Sequence, residues 1–216
     1  MQLWMGFALW CAVNGAEGLF ITGATTRKTF IKGLIIPLVA SVESGTPTTL
    51  LSTPQYATTL LSTPQYVIFL ELPTSPEFVK KSKPLKTHES EIILCPVDGK
   101  CSDFTFGVTV DPVKINTLSE FGTPKEVADK VIATEKLRDG IFSVDFVDAG
   151  EVTVGDDQYY KIDYFSRGKR GDKDFACMIA IKSEKLFVLT CGSKKDKGEK
   201  QLADMRRARD SFRIVV

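Results

Sequence analysis

Alternating apolar and polar positions in the second half of the chain predict a series of β-strands. In residues 104–110, phenylalanine and valine occupy every second position, as in a strand with one buried face. In residues 158–166 the same pattern places Tyr160, Ile162 and Tyr164 on one face. Ser183, Glu184 and Lys185 predict a hairpin turn between two further strands. The remaining predicted strands are residues 67–72, 90–95, 142–147, 152–154, 175–182 and 186–191.

Two segments have helical spacing instead. At residues 123–126, Thr123 is a capping residue, Pro124 suits the first helical position and Glu126 completes a capping box. Apolar residues then recur every three or four positions up to residue 137, which predicts an amphipathic helix. A final helix is predicted at residues 198–211, with Leu202, Met205 and Ala208 directed inward.

Composition limits the size and charge of the protein. Its 216 residues suffice for one domain of ordinary size plus appendages. The 28 basic and 27 acidic side chains nearly cancel. Broad nucleic-acid binding needs a basic surface, so we expect no nucleic-acid partner.

Several stretches of the chain occur in an order that resembles a known family. They are the strand and helix of residues 104–137, the sequences KPLKTH at 83–88, FGVTVDPV at 106–113, QYY at 158–160 and KLFVLT at 185–190, and the closing residues 208–214. Together they resemble the PsbP family of thylakoid-lumen proteins, especially its PsbP-like and PsbP-domain branches. The resemblance implies an α+β fold, an α/β/α sandwich in which helices flank a central antiparallel sheet.

The first 44 residues predict a targeting leader in two parts. Residues 3–13 form an apolar run that is about as long as a signal-peptide core. Residues 25–32 resemble a twin-arginine export signal with lysine in place of the second arginine, and the apolar stretch 33–42 follows. A single uncleaved hydrophobic anchor is the alternative, but neither run reaches the length of a membrane span. Two signals in series suggest entry into a secondary plastid and then export into the thylakoid lumen.

A near-perfect duplication follows the leader: TTLLSTPQYA at residues 48–57 and TTLLSTPQYV at 58–67. Two copies are too few for a solenoid, and the Ser, Thr and Pro content predicts a linker or arm at residues 45–66. The PsbP-like domain is expected at residues 67–216. In authentic PsbP the mature N-terminal arm retains calcium and chloride, and this segment does not resemble that arm.

Four cysteines lie outside the leader, and an oxidising lumen would permit disulfides between them. Cys177 and Cys191 lie on neighbouring predicted strands, but whether they face each other depends on the register. Cys95 and Cys101 could close the short loop between them. For each pair, the alternative is two small core residues.

Basic residues form clusters that are candidates for docking onto a partner. A solvated surface is the alternative for each cluster. Together, on a neutral domain, they could bind acidic lumenal loops of a photosystem, and the resemblance implies docking through lysines. The candidate residues are Lys80, Lys81, Lys83 and Lys86, then Arg167, Lys169 and Arg170, and then Lys194, Lys195 and Lys197; the last helix carries a further cluster at Arg206, Arg207 and Arg209.

The residues predict neither a catalytic nor a metal site. The sequence has no phosphate-binding glycine loop, no HExxH motif and no nucleophile elbow. His88 is the only histidine, so it cannot build a typical zinc site or catalytic triad by itself. The acidic residues 145–157 lack EF-hand spacing and are interpreted as surface carboxylates. Calcium binding is implied only by the family resemblance.

The sequence therefore predicts a non-enzymatic, extrinsic protein of the thylakoid lumen, peripheral to the membrane and monomeric when free. It is expected to bind the lumenal face of a photosystem and to support photosystem II assembly, stability or oxygen evolution. Two alternatives stay open: a true oxygen-evolving-complex subunit that retains calcium and chloride, and a lumenal redox or small-ligand protein that uses its cysteines. The sequence does not choose between photosystem II, photosystem I and a dehydrogenase complex.

Overall fold

The computed structural model describes residues 55–62, 65–81 and 88–215, and in this part of the chain ten strands form two antiparallel sheets. The strands are β1 (Tyr56–Ser62), β2 (Val67–Pro73), β3 (Phe78–Lys81), β4 (Ser90–Pro96), β5 (Phe104–Pro112), β6 (Ile141–Val154), β7 (Asp157–Gly168), β8 (Lys173–Lys182), β9 (Lys185–Lys194) and β10 (Arg213–Val215). The large sheet has the order β3-β4-β5-β9-β8-β7-β6, and the small sheet has the order β1-β2-β10.

Helices cover both faces of the large sheet. The helices are α1 (Leu118–Phe121), α2 (Pro124–Lys136) and α3 (Glu199–Ser211), and a 3₁₀ turn spans Lys195–Lys197. On one face, α1 and α2 bury Leu118 and Val127, respectively, in a cluster with Ile162 of β7. On the other face, α3 and the small sheet contribute Met205 and Ile68 to a second cluster. The predicted α+β fold with helices flanking an antiparallel sheet is confirmed, and a small sheet joins one of the helical layers.

Elements with local sequence signals form as predicted. Thr123 caps α2, since its hydroxyl oxygen accepts from the Glu126 amide at 3.3 Å and the Glu126 carboxylate accepts from the Thr123 amide at 2.8 Å. Ser183 and Glu184 connect β8 and β9 with φ values of 51° and 57°. Two left-handed residues define the tight turn whose twist matches that of the flanking strands.

Strand β6 differs from the sequence prediction. Residues 142–147 and 152–154 were predicted to be separate strands, but β6 runs without a break from Ile141 to Val154. Its register shifts between Phe146 and Asp148, which marks a bulge. Because β6 is an edge strand of the large sheet, the polar residues in its middle stay exposed and do not interrupt the pairing with β7.

Residues 56–62 were predicted to belong to a linker or arm, but they form β1 and pair with β2. Leu61 is buried in the core, and the Tyr56 hydroxyl donates to the Asp204 carboxylate of α3 at 2.8 Å. These two contacts give the segment a fixed position that its Ser, Thr and Pro content did not indicate. The predicted leader at residues 1–44, residues 45–54 of the predicted arm, and Lys83 and Lys86 lie outside the described residues.

Candidate docking surface

Two of the basic clusters meet at one end of the large sheet. One cluster begins in the last residues of β7, and the other begins where β9 ends. Lys173 pairs with Lys194 across β8 and β9, and the Lys195 amide donates to the Asp172 carbonyl oxygen at 3.0 Å. The side chains that meet here, called the basic end below, are Arg167, Lys169, Arg170, Lys194, Lys195 and Lys197.

Close backbone contacts fix the position of the basic end. The Lys169 amide donates to the Gly140 carbonyl oxygen at 2.8 Å, which ties the β7–β8 connection to the turn before β6. A Cβ atom on Gly168 would lie 2.7 Å from the same oxygen, so only glycine allows this approach. Gly171 has a φ of +95°, in the region that favours glycine. The backbone around Lys169 is therefore fixed by the hydrogen bond to Gly140 and by the close packing of Gly168 against the same residue.

Three of the six cations of the basic end lie beside two carboxylates of the same chain. Asp103 lies 2.7 Å from Lys194 and 3.5 Å from Lys197, and Asp145 lies 3.2 Å from Arg167. The hydrogen bond from Lys194 is the main reason why the pKa of Asp103 is lowered. The same bond raises the pKa of Lys194. These three cations are thus oriented by their own chain before any partner binds.

The other three cations, Lys169, Arg170 and Lys195, form no ion pair with any residue that the structure describes. The Lys195 ammonium lies 4.4 Å from the ring centre of Phe165, and the Arg167 guanidinium lies 5.0 Å from it. Such contacts orient a cation without neutralising its charge. Lys169, Arg170 and Lys195 are therefore the charges that a partner's carboxylates can reach.

A buried carboxylate lies beneath the basic end. Glu135 of α2 is 1% exposed, and Arg138 Nη1 donates to both of its oxygens at 2.7 and 2.9 Å. The Ser166 hydroxyl donates to the same carboxylate at 3.4 Å. Lys173 lines the adjoining cavity of about 40 Å³, and its pKa is lowered by burial and by repulsion from Arg138 and Lys194. These contacts anchor the last turn of α2 to the sheet below the basic end.

Glu135 was missed by the sequence reasoning, although a signal was present. It lies four residues after Val131 and therefore falls on the apolar stripe of α2. A glutamate at such a position points to a buried ion pair, because an unpaired buried carboxylate is strongly disfavoured.

The remaining predicted docking residues lie elsewhere. Lys80 and Lys81 are exposed on β3, the edge strand opposite β6. On α3, Arg209 was grouped with surface arginines but is 5% exposed and pairs with Asp163 and Asp210. Arg207 pairs with Glu71 at 3.1 Å. Arg207 and Arg209 therefore bind acidic groups of the same chain.

The structure pairs only two of the four cysteines. Cys95 and Cys101 form a disulfide with a Cα–Cα distance of 4.8 Å. Cys177 and Cys191 are free thiols, because Cys177 pairs with Thr190 and Cys191 with Ala176, which places the two sulfurs on opposite faces of the sheet. Burial raises the pKa of Cys177 to about 12.

The described residues contain no group of three or more His, Cys, Asp or Glu side chains positioned to hold a metal ion. His88 Nδ1 lies 2.8 Å from the Asp111 carboxylate. Among the acidic residues of 145–157, Asp157 pairs with Lys182 at 2.7 Å and Asp145 pairs with Arg167. No helix in the part of the chain described here is long and apolar enough to cross a membrane.

Comparisons with known proteins converge on one family. The model of the PsbP family matches residues 99–214. Two curated relatives come from Arabidopsis thaliana. PsbP domain-containing protein 2, chloroplastic, is 36% identical over 84 residues, which cover 38% of this chain and 36% of the relative. PsbP-like protein 1, chloroplastic, is 26% identical over 109 residues, which cover 50% of this chain and 47% of the relative.

These alignments span between about a third and a half of the curated relatives. Among solved structures, cyanobacterial PsbP (CyanoP) from Synechocystis aligns with a TM-score of 0.61 and 11% sequence identity. The alignment covers 76% of this chain and 96% of that protein. At this identity the similarity establishes the fold.

Proposed function

Because the chain belongs to the PsbP family, we propose that it is an extrinsic protein of the thylakoid lumen that binds the lumenal face of a photosystem, chiefly photosystem II. Proteins of this family are extrinsic and non-enzymatic, and two relatives are named chloroplastic. In this proposal the chain supports assembly, stability or oxygen evolution by binding, and a two-part leader delivers it to the lumen of a secondary plastid.

The observation that supports this proposal is the arrangement of charge at the basic end. Lys169, Arg170 and Lys195 come from two separate segments and form no ion pair within the described residues. The fixed backbone beneath them lowers the entropic cost of forming several contacts at once. A surface of this kind suits an acidic partner, and its long-range field increases the rate of encounter.

Binding to thylakoid membranes tests the proposal. Membranes stripped of extrinsic proteins by high salt would be incubated with the wild-type chain or with the double variant Lys169→Gln, Lys195→Gln. We expect the variant to bind several-fold more weakly at low salt and to show a shallower dependence on salt, since fewer charges are screened. The control Lys114→Gln, Lys161→Gln removes the same net charge away from the basic end. Equal binding by the two variants would contradict a docking role for this surface.

The partner is identified by solubilising the loaded membranes and recovering the chain by affinity. Photosystem II subunits should be enriched with the wild-type chain and reduced with the basic-end variant. Recovery of photosystem I or a dehydrogenase complex instead would contradict photosystem II as the partner. Restoration of oxygen evolution to depleted membranes at low calcium and chloride would favour the permanent-subunit alternative.

A further inference from the structure

Strand β3 presents an open edge at the opposite side of the large sheet. It consists of Phe78–Lys81 and pairs with β4 on one side. Among the residues that the structure describes, no strand pairs with its other side. An unpaired edge offers backbone donors and acceptors to any extended chain that reaches it.

The register shows which peptide groups of β3 face outward. The Val97 amide donates to the Glu77 carbonyl oxygen at 2.8 Å, so Glu77 and Val97 form a hydrogen-bonded pair. Hydrogen-bonded and non-hydrogen-bonded pairs alternate along an antiparallel ladder. Phe78 and Lys80 therefore direct their N–H and C=O groups away from β4. Their spacing of two residues is the spacing that an added strand needs.

A cleft of about 250 Å³ lies beside this edge, between the two sheets. Its wall on the large sheet is formed by Phe78 and Leu94, and its wall on the small sheet includes Leu72 of β2. Across the cleft, β1 contributes only the small side chains Ala57 and Thr59. These short side chains leave space unfilled between the sheets. The volume is below the usual range of small-molecule pockets and suits one apolar side chain.

The charged side chains within β3 are positive, whereas the exposed Glu77 lies just before the strand and lines the cleft. Lys80 and Lys81 are exposed, point to opposite faces of the sheet and have no ion pair with any described residue. Val79, which precedes the two lysines in β3, is 38% exposed. An added strand would therefore meet a cation on each face and an apolar contact beside them.

We propose that β3 and the adjoining cleft bind an extended acidic segment of a partner protein by strand addition. The partner's backbone pairs with the outward peptide groups of Phe78 and Lys80. Its carboxylates contact Lys80 and Lys81, and one medium-sized apolar side chain enters the cleft. Main-chain pairing supplies affinity in this mode of recognition, and the pocket supplies specificity. This surface is separate from the basic end and does not depend on it.

The probe is a blocked heptapeptide, Glu-Asp-Val-Leu-Val-Asp-Glu, in which leucine and both aspartates share one face of a strand. It is titrated into the ¹⁵N-labelled chain, and the amide shifts are followed by NMR. We expect saturable shifts confined to residues 78–81 and to the lining of the cleft, including Thr59 and Leu94. Shifts confined to residues 165–175 and 194–197 would mean that the peptide only neutralises the basic end, and would overturn the proposal.

Two substitutions at one position separate backbone pairing from charge. Lys80→Pro removes an outward N–H but leaves the bonds to β4, so we expect about tenfold weaker binding from the lost hydrogen bond and charge. Lys80→Gln keeps the N–H and should weaken binding only about threefold. Unchanged binding by Lys80→Pro would overturn strand addition. If that variant does not fold, a peptide with an N-methylated leucine removes a donor from the partner instead.

Filling the cleft provides an independent test. Thr59→Leu should reduce binding of the leucine peptide several-fold and leave binding of the corresponding alanine peptide unchanged. Equal effects on both peptides would exclude insertion of the side chain.

Sedimentation velocity of the chain alone tests whether a second copy of the chain occupies the edge of β3. A dimer that Lys80→Pro dissociates would overturn the proposal of a separate acidic partner.

Discussion

Arg209 and Asp163 form an ion pair that ties α3 to β7, the second strand from one edge of the large sheet. The Arg209 guanidinium donates to the Asp163 carboxylate of β7, and the two side chains are only 6% and 13% exposed. Arg206 approaches the same carboxylate at 3.4 Å, and Asp210 accepts from Arg209 Nε at 2.8 Å. A second polar contact joins the last helix to the sheet, since the Ser193 hydroxyl of β9 donates to the Gln201 side-chain oxygen of α3 at 2.8 Å.

Replacing Asp163 with alanine should strongly destabilise the protein. The variant leaves a buried guanidinium with Asp210 as its remaining carboxylate partner, so we expect the free energy of unfolding to fall by about 3 kcal/mol. Urea denaturation followed by circular dichroism measures the change. The control is Arg207→Ala, which removes the more exposed pair with Glu71 and should cost less than about 1 kcal/mol. A loss in Asp163→Ala no larger than in this control would contradict the structural role of the pair.

The close approach of Gly168 to Gly140 predicts a second stability effect. In Gly168→Ala the new Cβ would lie 2.7 Å from a backbone oxygen, so the two turns must separate, at a cost of about 2 kcal/mol. In the control Gly150→Ala, the nearest atom is the flexible Lys161 Cε at 3.3 Å, and the change should be small. Thermal unfolding compares the variants. Equal melting temperatures would show that the turns have room to adjust.

The ionisation of Asp103 makes the stability of the protein depend on pH. Its pKa is lowered in the folded state, so it stabilises the protein above the ordinary carboxyl pKa of 3.8 and loses that effect as the pH falls through its lower folded value. Asp103→Asn should therefore be less stable than the wild type at pH 7, by under about 1 kcal/mol, and the difference should shrink as the pH falls below 3.8. Urea denaturation at several pH values measures this. A difference that does not shrink as the pH falls below 3.8 would argue against the ionised pair as its cause.

The same variant has a functional consequence. Without Asp103, Lys194 and Lys197 lose the one carboxylate that these two lysines share in the structure, and the net positive charge of the basic end rises by one. If the basic end docks onto an acidic surface, Asp103→Asn should bind stripped thylakoid membranes more tightly, with a steeper salt dependence. Weaker binding would indicate that Asp103 is needed to position the lysines.

Thiol reactivity should divide the four cysteines of the described residues into two pairs. Cys177 and Cys191 are buried, and burial raises both pKa values, that of Cys177 to about 12. At pH 8 the native protein should therefore show no alkylation of either thiol, since the reactive form is the thiolate. In denaturant without reductant, Cys177 and Cys191 should react and the disulfide-bonded Cys95 and Cys101 should not. After reduction of the folded protein, Cys101 should react, whereas Cys95, which is 0% exposed, should stay protected. Peptide mass spectrometry assigns the labels, and native labelling of Cys191 would contradict its placement.

Local signals made much of the fold predictable, and long-range contacts account for what was missed. The capping box at Thr123 and the hairpin at Ser183 depend on neighbouring residues, so the sequence indicates them directly. Strand β1 pairs with β2, but its position is also fixed by the hydrogen bond from Tyr56 to Asp204, which lies 148 residues later in the sequence. Its own composition is typical of a linker. The continuity of β6 depends on pairing with β7, which no window of its own residues reveals.

The candidate docking surface was also predictable only in part. The sequence shows the basic clusters as runs of lysine and arginine. It does not show which of these clusters lie close together in the fold. Their meeting depends on the pairing of Lys173 with Lys194. Which cations remain available depends on the positions of Asp103 and Asp145, and both carboxylates are distant in sequence from their partners.

The order of the large sheet has a consequence for how the chain folds. Strands β3 to β5 and strands β6 to β9 are two sets of sequential neighbours, and only the pairing of β5 with β9 joins them. Phe104 and Ser193 meet in this seam, so most of the domain must be synthesised before the seam can close. A chain interrupted before β9 would leave β5, with its alternating phenylalanines and valines, as an uncovered edge open to aggregation.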